Sequence, residues 1–111
     1  MRLELTGRHV VITPVLRRAV QGKLAKLERL LDDRAVSAQV VLAEDKTRRI
    51  AEVTLHARGE KFLHSVGREA TFRQALGAAV DKVAQQARTM KGKFEGRRRT
   101  ARAPVRKRRA E

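Results

Sequence analysis

Apolar residues recur along this chain with two different periods, and the switches between them mark out its elements. Arg2 to Arg8 alternates, with Leu3 and Leu5 on one side and Arg2, Glu4 and Thr6 on the other. A period of two is that of a half-buried strand. Gly7, near its end, predicts an unusual turn or a close packing contact. At Thr13-Pro14 the period changes. Threonine accepts a hydrogen bond from an orphan backbone N–H at a helix start, and proline at the first helical position loses nothing. Leu16, Val20, Leu24, Leu27 and Leu31 then follow at spacings of four, four, three and four, one stripe on a helix of about five turns. Asp32-Asp33 opposes the helix dipole at a C-terminus, so the helix is expected to end at or before them.

Alternation returns twice more. Val36 to Glu44 places Val36, Ala38, Val40 and Leu42 on one face, and Glu44 to Thr47 is a polar turn. Arg48 to Arg58 places Ala51, Val53, Leu55 and Ala57 on one face and Ile50, Glu52, Thr54 and His56 on the other. Arg58-Gly59-Glu60-Lys61 is a hairpin turn into a fourth strand, Lys61 to Arg68. Its register stays open. A two-residue loop turns Phe62, His64 and Val66 to the core, and one more residue turns Leu63, Ser65 and Gly67 there instead. Thr71-Phe72-Arg73-Gln74 is a capping box, with Gln74 expected to reach back to Thr71. A stripe of Phe72, Leu76, Ala79, Val80, Val83, Ala87, Met90 and Phe94 follows over about six turns, with Gly92 and Gly96 at the expected fraying end. The order is β-α-β-β-β-α. Two helices with one apolar stripe each need one sheet face, which predicts an α+β two-layer sandwich: a four-stranded sheet with both helices on one side.

Length permits one small domain of 111 residues, divided into a folded body over 1–94 and a basic tail over 95–111 that is too polar to bury a core and is expected to be disordered. Charge changes the picture more than length does. The net charge is +15, and the tail contributes eight cations against two carboxylates. The body is therefore basic in its own right, which implies a shaped surface for a polyanion and not only a non-specific grip. Without cysteine there is no disulfide or thiolate metal site, and no apolar run approaches the roughly 20 residues that span a bilayer. No signal peptide is legible at the N-terminus. The expectation is a soluble, cytoplasmic protein with no membrane partner.

Catalytic patterns are missing. There is no phosphate-binding glycine loop, and Ser37 and Ser65 lie inside strands, not in a nucleophile turn. A two-histidine arrangement across the hairpin, His56 facing His64, is one alternative, and two imidazoles can serve as acid and base in RNA cleavage. The plainer reading is two polar strand residues, and no enzyme is expected. Two histidines without a third ligand make a poor metal site; no cofactor and no small-molecule substrate are implied.

The cations are more informative. Lys23 and Lys26 flank the first apolar stripe, with Arg18 and Arg29 further round. On the second helix Lys82, Gln86, Thr89 and Lys93 form one polar stripe, and Arg88 and Lys91 a neighbouring one. A charge stripe is usually a solvated face. Ordinary surfaces interleave both signs, however, and from Phe72 to Phe94 five cations face Asp81 alone. Side by side on one sheet, the two helices are expected to line a shared groove that meets phosphates. Aromatics are only Phe62, Phe72 and Phe94, so base stacking on an exposed ring is not expected, and structured RNA met by shape is favoured over single-strand reading.

Several blocks resemble the short ribosome hibernation promoting factors and their relative, the ribosome-associated inhibitor A. They are Thr6-Gly7-Arg8, Ile12-Thr13-Pro14, Leu16-Arg17, Lys23, Lys26-Leu27-Glu28-Arg29, Val40-Val41-Leu42, Thr54-Leu55-His56, Asp81-Lys82-Val83-Ala84 and Gln86. The likeness spans about residues 1–94. It implies the same β-α-β-β-β-α fold, a monomer off the ribosome, and binding to 16S ribosomal RNA of the small subunit, in the channel of messenger and transfer RNAs, so that translation stops under stress or in stationary phase. The positions that match the family's RNA-contacting cations are Arg8, Lys23, Lys26, Arg29 and Lys82; Arg88 and Lys91 match in charge alone. The family often has acids and an aromatic at the start of the second helix, where this chain has Thr71, Arg73 and Gly77. The long form's second domain, which pairs ribosomes, is not expected here. The competing expectation is a general RNA- or DNA-binding architectural or chaperone protein that grips through its tail.

Overall fold

Thr13 starts the first helix as its spacing predicts. Its hydroxyl accepts from the Leu16 amide at 3.2 Å, and Pro14 follows at the first helical position. The structure, a computed structural model, describes the backbone of residues 1–59 and 61–100 and the side chains of 1–59 and 61–89. The elements are β1 (Arg2–Arg8), α1 (Pro14–Leu31), β2 (Ala35–Glu44), β3 (Arg49–Ala57), β4 (Lys61–Glu69) and α2 (Phe72–Thr100). α1 stops before the two aspartates, which open one 3-10 turn over Asp32–Arg34. α2 is capped by Thr71, whose hydroxyl accepts from the Gln74 amide at 3.1 Å. Its helical backbone continues through Gly92 and Gly96, past Phe94 where the sequence places the end of the body. The side chains of Met90 and Phe94, and the tail from 101 onward, lie outside the described residues.

The sheet order is β1-β2-β3-β4. β1 and β2 are parallel and joined across the sheet by α1; β2–β3 and β3–β4 are antiparallel hairpins. Both helices cover one face, as expected. Between them and the sheet lies an aliphatic core: Val20, Leu24, Leu27 and Leu31 from α1, Ala38, Val40, Leu42, Ala51, Val53 and Leu55 from the sheet, and Leu76, Ala79, Val80, Val83 and Ala87 from α2. Burial of each large aliphatic side chain contributes about 1.5–3 kcal/mol, enough for a small core without aromatics.

Two details differ from the spacing or resolve it. Val36 is exposed and not on the core face, because the register of β2 against β3 shifts between Ala35 and Ser37; this bulge takes Val36 out of the alternation. The second hairpin takes the longer loop. Ala57 pairs with Lys61, Gly59 sits at φ 81°, and Leu63, Ser65 and Gly67 turn to the core. Small residues are required at Ser65 and Gly67, because α2 crosses β4 closely there: the Ser65 hydroxyl donates to the Ala79 carbonyl, and a Cβ at Gly67 would meet the Ala75 carbonyl. Phe62, His64 and Val66 are thereby left on the open face.

Candidate nucleic-acid interface

Lys23 and Lys26 project from the flank of α1 that meets the start of α2. With Arg18, Ala19, Gly22 and Arg73 they line an open recess of about 370 Å³. Ala19 and Gly22 on α1 are its small lining residues, and a Cβ built at Gly77 on α2 would stand 3.7 Å from the Lys23 ammonium. Four cations line this recess and no carboxylate does. Such crowding of one sign gives the fold nothing and costs self-repulsion, and it leaves a surface complementary in charge to an anion.

Arg73 was not among the expected site residues. A signal for it does exist in the sequence. A cation in the first turn opposes the helix dipole, and α2 has no acid in its first turn to offset it. A residue held against that preference is one the helix itself does not call for.

The expected single groove is divided. The Lys82 stripe does not face α1. It lies on the other flank of α2, along the outer edge of β4, where Leu63, Lys82, Gln85, Gln86 and Thr89 line a second recess of about 470 Å³. There Lys82 Nζ donates to the Val66 carbonyl at 3.0 Å. Gln86 donates to the His64 carbonyl at 2.9 Å and accepts from the His64 amide at 3.2 Å. Lys82, expected as an RNA contact, and Gln86, its neighbour on the same polar stripe, thus satisfy the unpaired edge of the sheet. Arg8 stands elsewhere again, exposed at the end of β1 on the open face, in register with Ala43, Ile50 and Arg68. Arg29 is exposed in the last turn of α1, where a cation suits the helix dipole. Arg88 is exposed on α2, and Lys91 belongs to its helical backbone with a side chain outside the described residues.

The histidine pair is not assembled. His56 lies opposite Phe62 and His64 opposite Thr54, so the two imidazoles do not face each other. His64 Nε2 is 2.7 Å from a Glu52 carboxylate oxygen, and the His56 ring is stacked on Phe62. The scarcity of aromatics also misleads in one respect: Phe62 is 62% exposed on the open face. Its fate hung on the hairpin register, which spacing left undecided. Among the described residues no three of His, Cys, Asp and Glu converge as metal ligands, and no helix is long and apolar enough to cross a membrane.

Comparison with known proteins converges on one group. Ribosome hibernation promoting factors from Klebsiella oxytoca and Escherichia coli K12 are 34% and 35% identical over 95 residues, covering 86% of this chain and 98% of theirs. The crystal structure of the Thermus thermophilus Protein Y N-terminal domain matches with TM-score 0.73 and 29% identity, over 81% of this chain and 99% of that one. A ribosomal subunit interface protein from Coxiella burnetii shares the fold at TM-score 0.74 and 18% identity, over 83% and 99%. The relatives are named as ribosome factors and not as catalysts. With residues 3–95 matching the model of the Sigma 54 modulation protein / S30EA ribosomal protein family, this chain belongs to that family, alongside the ribosome hibernation promoting factors.

Proposed function

We propose that this protein binds the small ribosomal subunit through 16S ribosomal RNA, occupies the channel of messenger and transfer RNAs, and so holds translation off in idle cells. The observation that carries this reading is the α1–α2 recess, where Arg18, Lys23, Lys26 and Arg73 meet without a carboxylate. The names of the relatives support the ribosome as the partner. The recess supports phosphate as the group that is met. Rigid helices hold the cations at fixed separations, which suits the shape and backbone recognition of folded RNA. No bond is made or broken: the mechanism is occlusion.

Reversing Lys23, Lys26 and Arg73 to Glu tests it. None of the three is in the buried core, so the fold should persist, judged by circular dichroism. Co-sedimentation with small subunits should fall at least tenfold, and inhibition of cell-free translation should be lost with it. A triple variant that still pellets as the parent does would place the grip elsewhere.

A further inference from the structure

We propose that the open face of the sheet, on the side away from the helices, holds a slot for one unstacked nucleobase between the His56 ring and the Arg2 side chain. One cross-strand row carries the inference. Arg2, Ser37, His56 and Phe62 are in register across all four strands. At its β3–β4 end the His56 and Phe62 rings are stacked, centroids 4.6 Å apart and planes 9° from parallel. Next to His56 comes Ser37, the one small side chain of the row, and beyond it Arg2. Neighbouring strands lie about 4.8 Å apart, so His56 and Arg2 stand about 10 Å apart with only a serine between them. A planar base needs about 7 Å, one van der Waals contact of about 3.5 Å on each side.

The space is there. Arg2, Ser37, His56 and Phe62, with Glu4, Gln39 and Thr54 from the next row, line a recess of about 160 Å³. Cavities of about 150 Å³ take a benzene-sized ring. A base in this slot would extend the Phe62–His56 stack by one member and be covered by a guanidinium, and both are usual partners of unstacked RNA bases. Glu4, Gln39 and Thr54 offer acceptors and donors to its edge.

An exposed phenylalanine alone needs no explanation. Here it buttresses a histidine beside an open slot with a cation on the far side, in a chain of net charge +15. That charge favours a single-stranded nucleic acid over an apolar protein partner. The inference does not rest on the ribosomal reading, since the recess of Lys23 and Lys26 lies on the opposite face.

The test is an amide chemical-shift titration of the full chain, labelled with ¹⁵N, against adenosine 5′-monophosphate and, separately, ribose 5-phosphate. The nucleotide should shift the amides of Arg2, Ser37, Gln39, Thr54, His56 and Phe62, and ribose 5-phosphate should not. Ser37→Leu fills the slot without changing charge and should abolish the shifts. Should that variant not fold, His56→Ala serves in its place. Phe62→Ala should weaken nucleotide binding roughly tenfold by removing the support of the stack. Equal shifts with ribose 5-phosphate would reduce the site to an anion patch and overturn the proposal. So would amides that stay silent to millimolar nucleotide, as they would on a face built for a protein. The Lys23, Lys26 and Arg73 reversal should leave these shifts intact, so failure of one reading is distinguishable from failure of the other.

Discussion

At Gly67 a single hydrogen stands where any other residue would place a methyl group against α2. A Cβ there would lie 2.1 Å from the Ala75 carbonyl oxygen and 3.0 Å from the Ala79 nitrogen, and both atoms are helix backbone that cannot rotate away. Gly67→Ala should therefore push α2 off β4 and destabilise the fold by about 3 kcal/mol or more, at the upper end of overpacking costs. Gly22 is the opposite case. It lies inside α1, a Cβ meets nothing within 4 Å, and the glycine is there at the expense of helix propensity. Gly22→Ala should stabilise by about 0.5–1 kcal/mol. Urea midpoints of the two variants should thus move in opposite directions; a shared direction would contradict the helix packing described. Gly7 follows Gly67. His9 at φ 61° turns the chain back so that the Val10 carbonyl oxygen comes within 2.1 Å of a Cβ placed at Gly7. The sequence marks Gly7 as a turn or a packing contact, and only the structure shows that it is the contact.

Among the elements, β4 depends most on its neighbour. It is an edge strand, with one row of backbone groups unpaired by the sheet, and such edges invite pairing with other chains. α2 closes it from outside: Gln86 takes both the amide and the carbonyl of His64, and Lys82 takes the carbonyl of Val66. Gln86→Ala should cost about 1–3 kcal/mol, two hydrogen bonds at roughly 0.5–1.5 each. Its signature would be local, with faster hydrogen exchange at the His64 amide while the Leu55 amide in β3 keeps its protection. Uniform loss of protection would mean that Gln86 supports the fold globally and not the edge. This element also shows where sequence reading stops. Alternation located β1, β2 and β3, and the threonine caps located both helices, because those signals are internal to a segment. The register of β4 depends on one extra loop residue, and the Gln86 clamp depends on what lies beside the helix. Spacing within the helix placed Lys82, Gln86 and Thr89 on one stripe correctly, but a stripe does not say whether it faces RNA, solvent or a strand edge.

Across the described residues the positive charge is distributed over separate surfaces, not gathered at one: the α1–α2 recess, the β4 edge and the open sheet face; the sequence adds further cations beyond Thr100. Each neutralised phosphate adds about 0.7–0.9 to the slope of log affinity against log salt, so binding to the subunit should depend steeply on salt. With six to ten phosphate contacts the affinity should fall by about 10³–10⁵ between about 50 and 200 mM salt. Truncation after Thr100 keeps the whole of α2 and removes the larger part of the basic 95–111 tail. It removes Arg102, Arg106, Lys107, Arg108 and Arg109 and one acid, Glu111, and leaves every cation of the folded surfaces. If the folded body directs the protein to the ribosome, truncation should lower the salt slope by no more than about 3.5–4.5, one increment per lost cation, and preserve the preference for small subunits over duplex DNA. Loss of that preference would mean that the tail selects the partner, with the recess of Lys23, Lys26 and Arg73 only assisting. The measurement is a pair of salt titrations, subunit against duplex, for the full chain and for the truncation. The informative quantity is the ratio of the two affinities at each salt concentration, since overall weakening is expected under either view.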